Sequence, residues 1–152
     1  GYSRRDVGLR AGSLPLQLLI ALTGLTFGYV EYRILAPAPL AAAFTWQDLW
    51  LPALILLVST GFLEELIFRG LMQRAAVQTL GQGVGILYIS VVFAVLHAGY
   101  KSLVDVVFVF VVALFFGWIV ARTQSLLGVT LAHGLTNIML FLVMPYLAAG
   151  LP

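Results

Sequence analysis

Five stretches of about twenty predominantly apolar residues, separated by short polar or turn-rich segments, dominate this 152-residue chain. A bilayer core is crossed by roughly 20 apolar helical residues, so each stretch reads as a membrane span. The spans fall at about Leu14–Ile34, Leu49–Met72, Val84–Ala98, Leu103–Ala121 and Leu126–Leu147. Composition leaves no comfortable alternative: 62% of the residues are hydrophobic and 9% charged, against roughly 45–50% and about 25% in soluble domains. The expectation is an all-α, polytopic helical bundle forming a single integral membrane domain over residues 1–152. The first apolar stretch has no small-residue cleavage site after it and is read as a retained span rather than a signal peptide.

The punctuation supports these boundaries. Pro37 and Pro39 follow the first span, and Gly81, Gly83 and Gly85 follow the second. Gly99 follows the third, and Arg122 to Ser125 separate the last two. Ser125 suits the N-cap of the fifth helix, and Pro145 should kink or end it. Arg4, Arg5, Arg10, Arg74 and Arg122 share one side of this topology, and only Arg33 and Lys101 occupy the other. The excess of basic residues on short loops marks the cytoplasmic side, which predicts a cytoplasmic N-terminus. Trp46 and Trp50 fit an interfacial anchor on the outer side. The net charge of +2 is spread between apolar runs, so the basic residues read as topology signals and not as a nucleic-acid surface. The chain has no cysteine, which excludes disulfides, thiolate metal ligands and a thiol nucleophile.

Against this background Glu64 and Glu65 stand out. A carboxylate at depth in a bilayer costs about 2.5–3.5 kcal/mol on insertion scales and therefore marks a candidate functional site. Glu65 and Arg69 are four apart and share a helix face, which suits an ion pair. Glu64 points about 100° away, so one glutamate reads as structural and the other, Glu64, as free for chemistry. On the third span Phe93 and His97 are four apart. On the fifth, His133 and Asn137 share a face and offer groups that could hold a water, a metal or an oxyanion. Gly134 would let a neighbouring helix or substrate approach.

Each feature alone has a plainer reading. Membrane His and Asn often bond between helices, a Glu–Arg pair is often a support, and Phe93 fills a core. The phenylalanines at 108, 110, 115 and 116 read as packing or lipid-facing, and Lys101 with Asp105 as a solvated pair. The joint pattern on three helices is what favours a catalytic site.

In order and spacing, EELIFR (Glu64–Arg69), FAVLH (Phe93–His97) and HGLTN (His133–Asn137) resemble the EExxxR, FxxxH and HxxxN/D motifs of the CPBP family. These are the CAAX-protease and bacteriocin-processing intramembrane proteases, also called Abi proteins. The resemblance covers residues 61–139. It implies an endopeptidase acting on a membrane-associated protein or peptide, in a bacterial inner membrane. By position, Glu64 would activate water with help from His97. His133 and Asn137 would hold the water or the oxyanion, and Glu65 and Arg69 would support the second helix.

Metal-free catalysis is favoured because no recognised zinc-ligand spacing is present. Zinc is the alternative, with Glu64, His97 and His133 as its ligands. A non-catalytic immunity protein that binds a bacteriocin-like peptide is the alternative function. A small proton carrier is a third reading, with no inverted repeat to support it. One feature of the span assignment sits awkwardly. At 1.5 Å per residue Glu64 and His133 lie about 8–10 Å from the inner face, with His97 roughly 10 Å further out. A tilted third helix, or one starting deeper in the bilayer, would bring it level.

Overall fold

A computed structural model describes residues 3–150. It contains five helices long and apolar enough to cross a membrane: α1 (Leu14–Leu35), α2 (Trp46–Leu80), α3 (Gln82–Tyr100), α4 (Leu103–Thr123) and α5 (Leu127–Ala148). No strand occurs among the described residues, so the all-α expectation holds. Leucine and valine side chains such as Leu19, Leu22, Val95, Leu103 and Val104 project outward and exposed from the bundle. A helical bundle with an apolar exterior satisfies its backbone internally, as a bilayer requires.

Helix α5 lies at the centre, packed on α1 along one side and on the middle of α2 along the other. Glycine makes both contacts close. A Cβ on Gly24 of α1 would collide with the Ala132 carbonyl. A Cβ on Gly61 of α2 would stand 2.8 Å from the Thr130 carbonyl and 3.1 Å from Gly134. The expectation for Gly134 as an approach point is met from the α2 side, where Leu57 packs over it. Helix α3 then packs between the lower part of α2 and α4.

One end of the bundle is closed by the N-terminal segment. The Leu126 amide donates to the Gly8 carbonyl (2.9 Å), Ser125 Oγ to the Arg10 carbonyl (2.6 Å) and Arg74 to the Asp6 carbonyl (2.6 Å). Hydrogen bonds from the Ser3 backbone and hydroxyl hold the Asp6 carboxyl below its ordinary range, and Arg74 lowers it further. These bonds put the N-terminus and the α4–α5 turn together, as the topology reading required. At the other end the Leu40 amide donates to the Phe141 carbonyl (3.0 Å), and the Tyr146 hydroxyl to that of Ala41 (2.6 Å).

Four expectations need correction. Helix α2 does not stop near Met72 but continues to Leu80. The segment QRAAVQTL is only half apolar, yet it keeps helical geometry by packing on α3. Second, α5 is capped by Leu126 in place of Ser125, although Ser125 Oγ still accepts from the Leu127 amide (3.3 Å). Third, Pro145 does not end α5. A wider π turn over Met139–Val143 precedes it and the helix runs on to Ala148; the wider turn takes up the ring and the missing N–H.

The fourth concerns Lys101 and Asp105, which do not form a solvated pair. Lys101 lies outside α4 with φ 55°, before the Ser102 cap, so the i,i+4 rule does not apply to it. Asp105 is fully buried.

Candidate active site

The extension of α2 removes the depth mismatch. Glu64 lies seventeen residues before the Gly81 turn and His97 sixteen after it, so both stand about 24–26 Å up antiparallel neighbours at 1.5 Å per residue. The hairpin tip projects from the bundle, since a Cβ on Gly81 or Gly83 would meet nothing within 4 Å. Helix α5, by contrast, starts deeper, under the N-terminal segment. His133 therefore reaches the level of Glu64 only a few residues into its own helix. Around Glu64 helix α2 is wound as π-helix, over Leu56–Glu64 and again over Leu66–Met72. Such segments recur at functional sites because they redirect side chains without breaking the helix.

Glu64, His97, His133 and Asn137 all line one cavity of about 260 Å³, together with Thr60, Phe93 and Phe116. A second, adjoining hollow is lined by Glu64, Phe93 and His97 with Leu96 and Gly99. The two glutamates part as expected. The Glu64 side chain is 34% exposed, into the cavity, whereas Glu65 is 0% exposed.

Glu65 does more than pair with Arg69. Its Oε1 accepts from Arg69 Nη1 (3.1 Å) and from His133 Nδ1 (2.8 Å). With Glu65 Oε1 accepting in its ion pair with Arg69, His133 Nδ1 is the donor of this bond. Nε2 of His133 then faces Glu64 Oε2 at 4.0 Å, too long for a hydrogen bond but matched to one bridging water at about 2.8 Å from each. His97 is fixed by the same logic. Its Nδ1 lies 3.0 Å from the Phe93 carbonyl, which can only accept, so Nδ1 bears hydrogen.

Phe93 belongs to the core, as expected, and has a further part. Its ring lies 4.2 Å beneath the Arg69 guanidinium and 4.9 Å from the His97 ring. A desolvated cation over a ring face gains about 2 kcal/mol, which helps keep Arg69 buried. Phe116 packs on the His133 ring at 6.4 Å and Phe108 lines the same cavity, so two members of the phenylalanine run serve the site. Asn137 Nδ2 donates to Thr60 Oγ1 (3.0 Å).

Thr60 and Glu31, which line the same cavity, were missed in the sequence. Thr60 had a usable signal, since it precedes Glu64 by four residues on one helix. Glu31 had none beyond being a carboxylate in an apolar run. Among the described residues no three His, Asp or Glu side chains are gathered so as to hold a metal ion. Nδ1 of both histidines is already bonded, so Nε2 is the atom each would offer to a metal.

The fold is a five-helix membrane bundle with Glu64 and two histidines on one internal cavity. The family model described as type II CAAX prenyl endopeptidase Rce1-like matches residues 45–139, and the chain belongs to that Rce1-like family. It is a CAAX-type protease embedded in the bilayer, with a membrane-associated substrate. No curated protein and no solved structure matches the chain.

Proposed function

We propose that the chain is a metal-free endopeptidase in which Glu64 activates water against a peptide bond of a membrane-associated protein or peptide. The observation that carries this reading is the 4.0 Å gap between Glu64 Oε2 and His133 Nε2, in a cavity shared with His97 and Asn137. Glu64 takes one proton from water placed in that gap while His133 Nε2 accepts a hydrogen bond from the other hydrogen, which leaves an oxygen lone pair for the carbonyl; His97, on the same cavity wall, assists Glu64. As the oxyanion forms, the Asn137 amide turns from Thr60 to donate to it. His133, backed by Glu65, keeps its hydrogen bond from the hydroxyl that has added to the carbonyl carbon, while the proton removed stays on Glu64. That proton passes to the departing nitrogen as the C–N bond breaks. Glu65 and Arg69 touch no reacting atom and position His133.

The proposed setting is a bacterial inner membrane with the N-terminus in the cytoplasm, supported by five basic residues at that end of the bundle against two at the other. The test compares membrane peptidomes from cells expressing the native chain and Glu64→Gln at equal levels. New peptide ends confined to the native chain are expected and would identify the substrate. Identical peptidomes, with the variant folded, would overturn the protease reading and favour an immunity protein that binds a peptide without cutting it.

A further inference from the structure

The wall of the catalytic cavity includes a carboxylate with no part in the chemistry above. Glu31, near the end of α1, lines the cavity with Glu64 and His97. It is only 7% exposed and makes no hydrogen bond or ion pair with any described residue. Asp105, in the first turn of α4, is 0% exposed, and neither of its carboxylate oxygens has a hydrogen-bond partner among the described residues.

Buried carboxylates are normally paired or fully hydrogen-bonded. Here Glu31 lines an aromatic and aliphatic pocket with no cation bonded to it, and Asp105 is buried without a hydrogen-bond partner. Lys101, four residues before Asp105, is exposed and outside the helix. Glu31, Asp105 and His97 do not converge as metal ligands. An organic cation from outside the chain would satisfy such a carboxylate. The cavity suits one with a long apolar stem, because Phe108, Val112 and Phe141 line it beside Glu31, and lysine and arginine stems bury against such surfaces.

We propose that Glu31, backed by Asp105, is a specificity subsite for a lysine or arginine side chain of the substrate. The inference rests on the protease reading. A cavity of about 260 Å³ is about 8 Å across if round, or two to three residues of extended chain. The basic residue thus lies within about three positions of the scissile bond. A guanidinium or ammonium seated there would hold the chain in register over Glu64, so that the bond presented to water is fixed by a charge contact.

The experiment has a binding arm and a cleavage arm. In phosphatidylcholine nanodiscs, with empty discs subtracted, Glu64→Gln protein is titrated with dodecylguanidinium and with its neutral isostere dodecylurea. The guanidinium is expected to bind about tenfold or more tightly, and adding Glu31→Gln or Asp105→Asn should bring the ratio close to one. Equal binding of the two probes to the chain with Glu31 intact overturns the subsite, and that comparison holds even if the double variants fail to fold. In the cleavage arm, membrane-anchored peptides carrying arginine or citrulline at each position are given to the native chain. One position should favour arginine about tenfold in kcat/KM; equal cleavage at every position overturns the proposal. Absence of any cleavage overturns the protease reading instead, and the binding arm still decides the subsite.

Discussion

Glu64 and Glu65 are joined by one peptide bond, yet they answer to different physics. Glu65 is sealed between Arg69 and His133, so deleting its charge strands a buried guanidinium. Breaking a buried pair in this way costs about 3–5 kcal/mol. Glu65→Gln should therefore lower the unfolding temperature in detergent and impair activity through misplacement of His133. Glu64 has no such obligation. Glu64→Gln should leave unfolding unchanged and lower kcat about 10²- to 10⁴-fold, as loss of a general base does. Paired thermal melts and cleavage assays separate the two roles; a Glu65→Gln protein as stable as the native chain would show that the Glu65–Arg69 pair is not structural. The Glu65–Arg69 pairing was legible in the sequence because it is local, fixed by i,i+4 spacing in a single helix. The bond from Glu65 to His133 was not, since it depends on how α2 is set against α5. Asp105 shows the limit from the other side. A spacing rule put it with Lys101, but helix α4 begins only at Leu103, so the rule was applied across a helix start.

At the level of the elements, the decisive boundary is the Gly81 turn. An apolarity criterion ends the second span near Met72, where Gln73 and Arg74 begin, and that shift alone misplaces Glu64 by about two helical turns. The same glycine cluster was visible as a turn signal, and counting outward from Gly81 would have set Glu64 and His97 level. Hydropathy reports contact with lipid, whereas the last two turns of α2 are held by α3 and by Asp6. The π winding at Leu56–Met72 left no pattern that could be read beforehand. Its side chains are set by the approach to α5, where Gly61 meets Thr130 and Gly134. Gly61→Ala should thus push α2 off α5, at about 1–3 kcal/mol for overpacking, and reduce cleavage by moving Glu64. Gly83→Ala, where a Cβ meets nothing within 4 Å, should be neutral or stabilise by about 0.5–1 kcal/mol. Similar losses from both substitutions would mean that the close α2–α5 contact does not position the site.

The whole molecule divides its work between its two ends. The end bearing the N-terminal segment is tied by cross-chain hydrogen bonds at Asp6, Gly8 and Arg10. The opposite end supplies Glu31, Tyr100 and Phe141 to the cavity wall. Which leaflet supplies substrate therefore follows from orientation, and the basic residues at the tied end point to a cytoplasmic placement for it. The chain contains no cysteine, so single cysteines report topology against an empty background. Gln82 at the hairpin tip and Ala42 in the opposite loop are both exposed. In intact cells a membrane-impermeant maleimide should label Ala42→Cys, whereas Gln82→Cys should react only after lysis. The reverse pattern would invert the bundle and turn the Glu31 end of the cavity toward the cytoplasm. Substrates would then be cytoplasmic tails, because a peptide entering beside Glu31 reaches Glu64 without crossing the tied end.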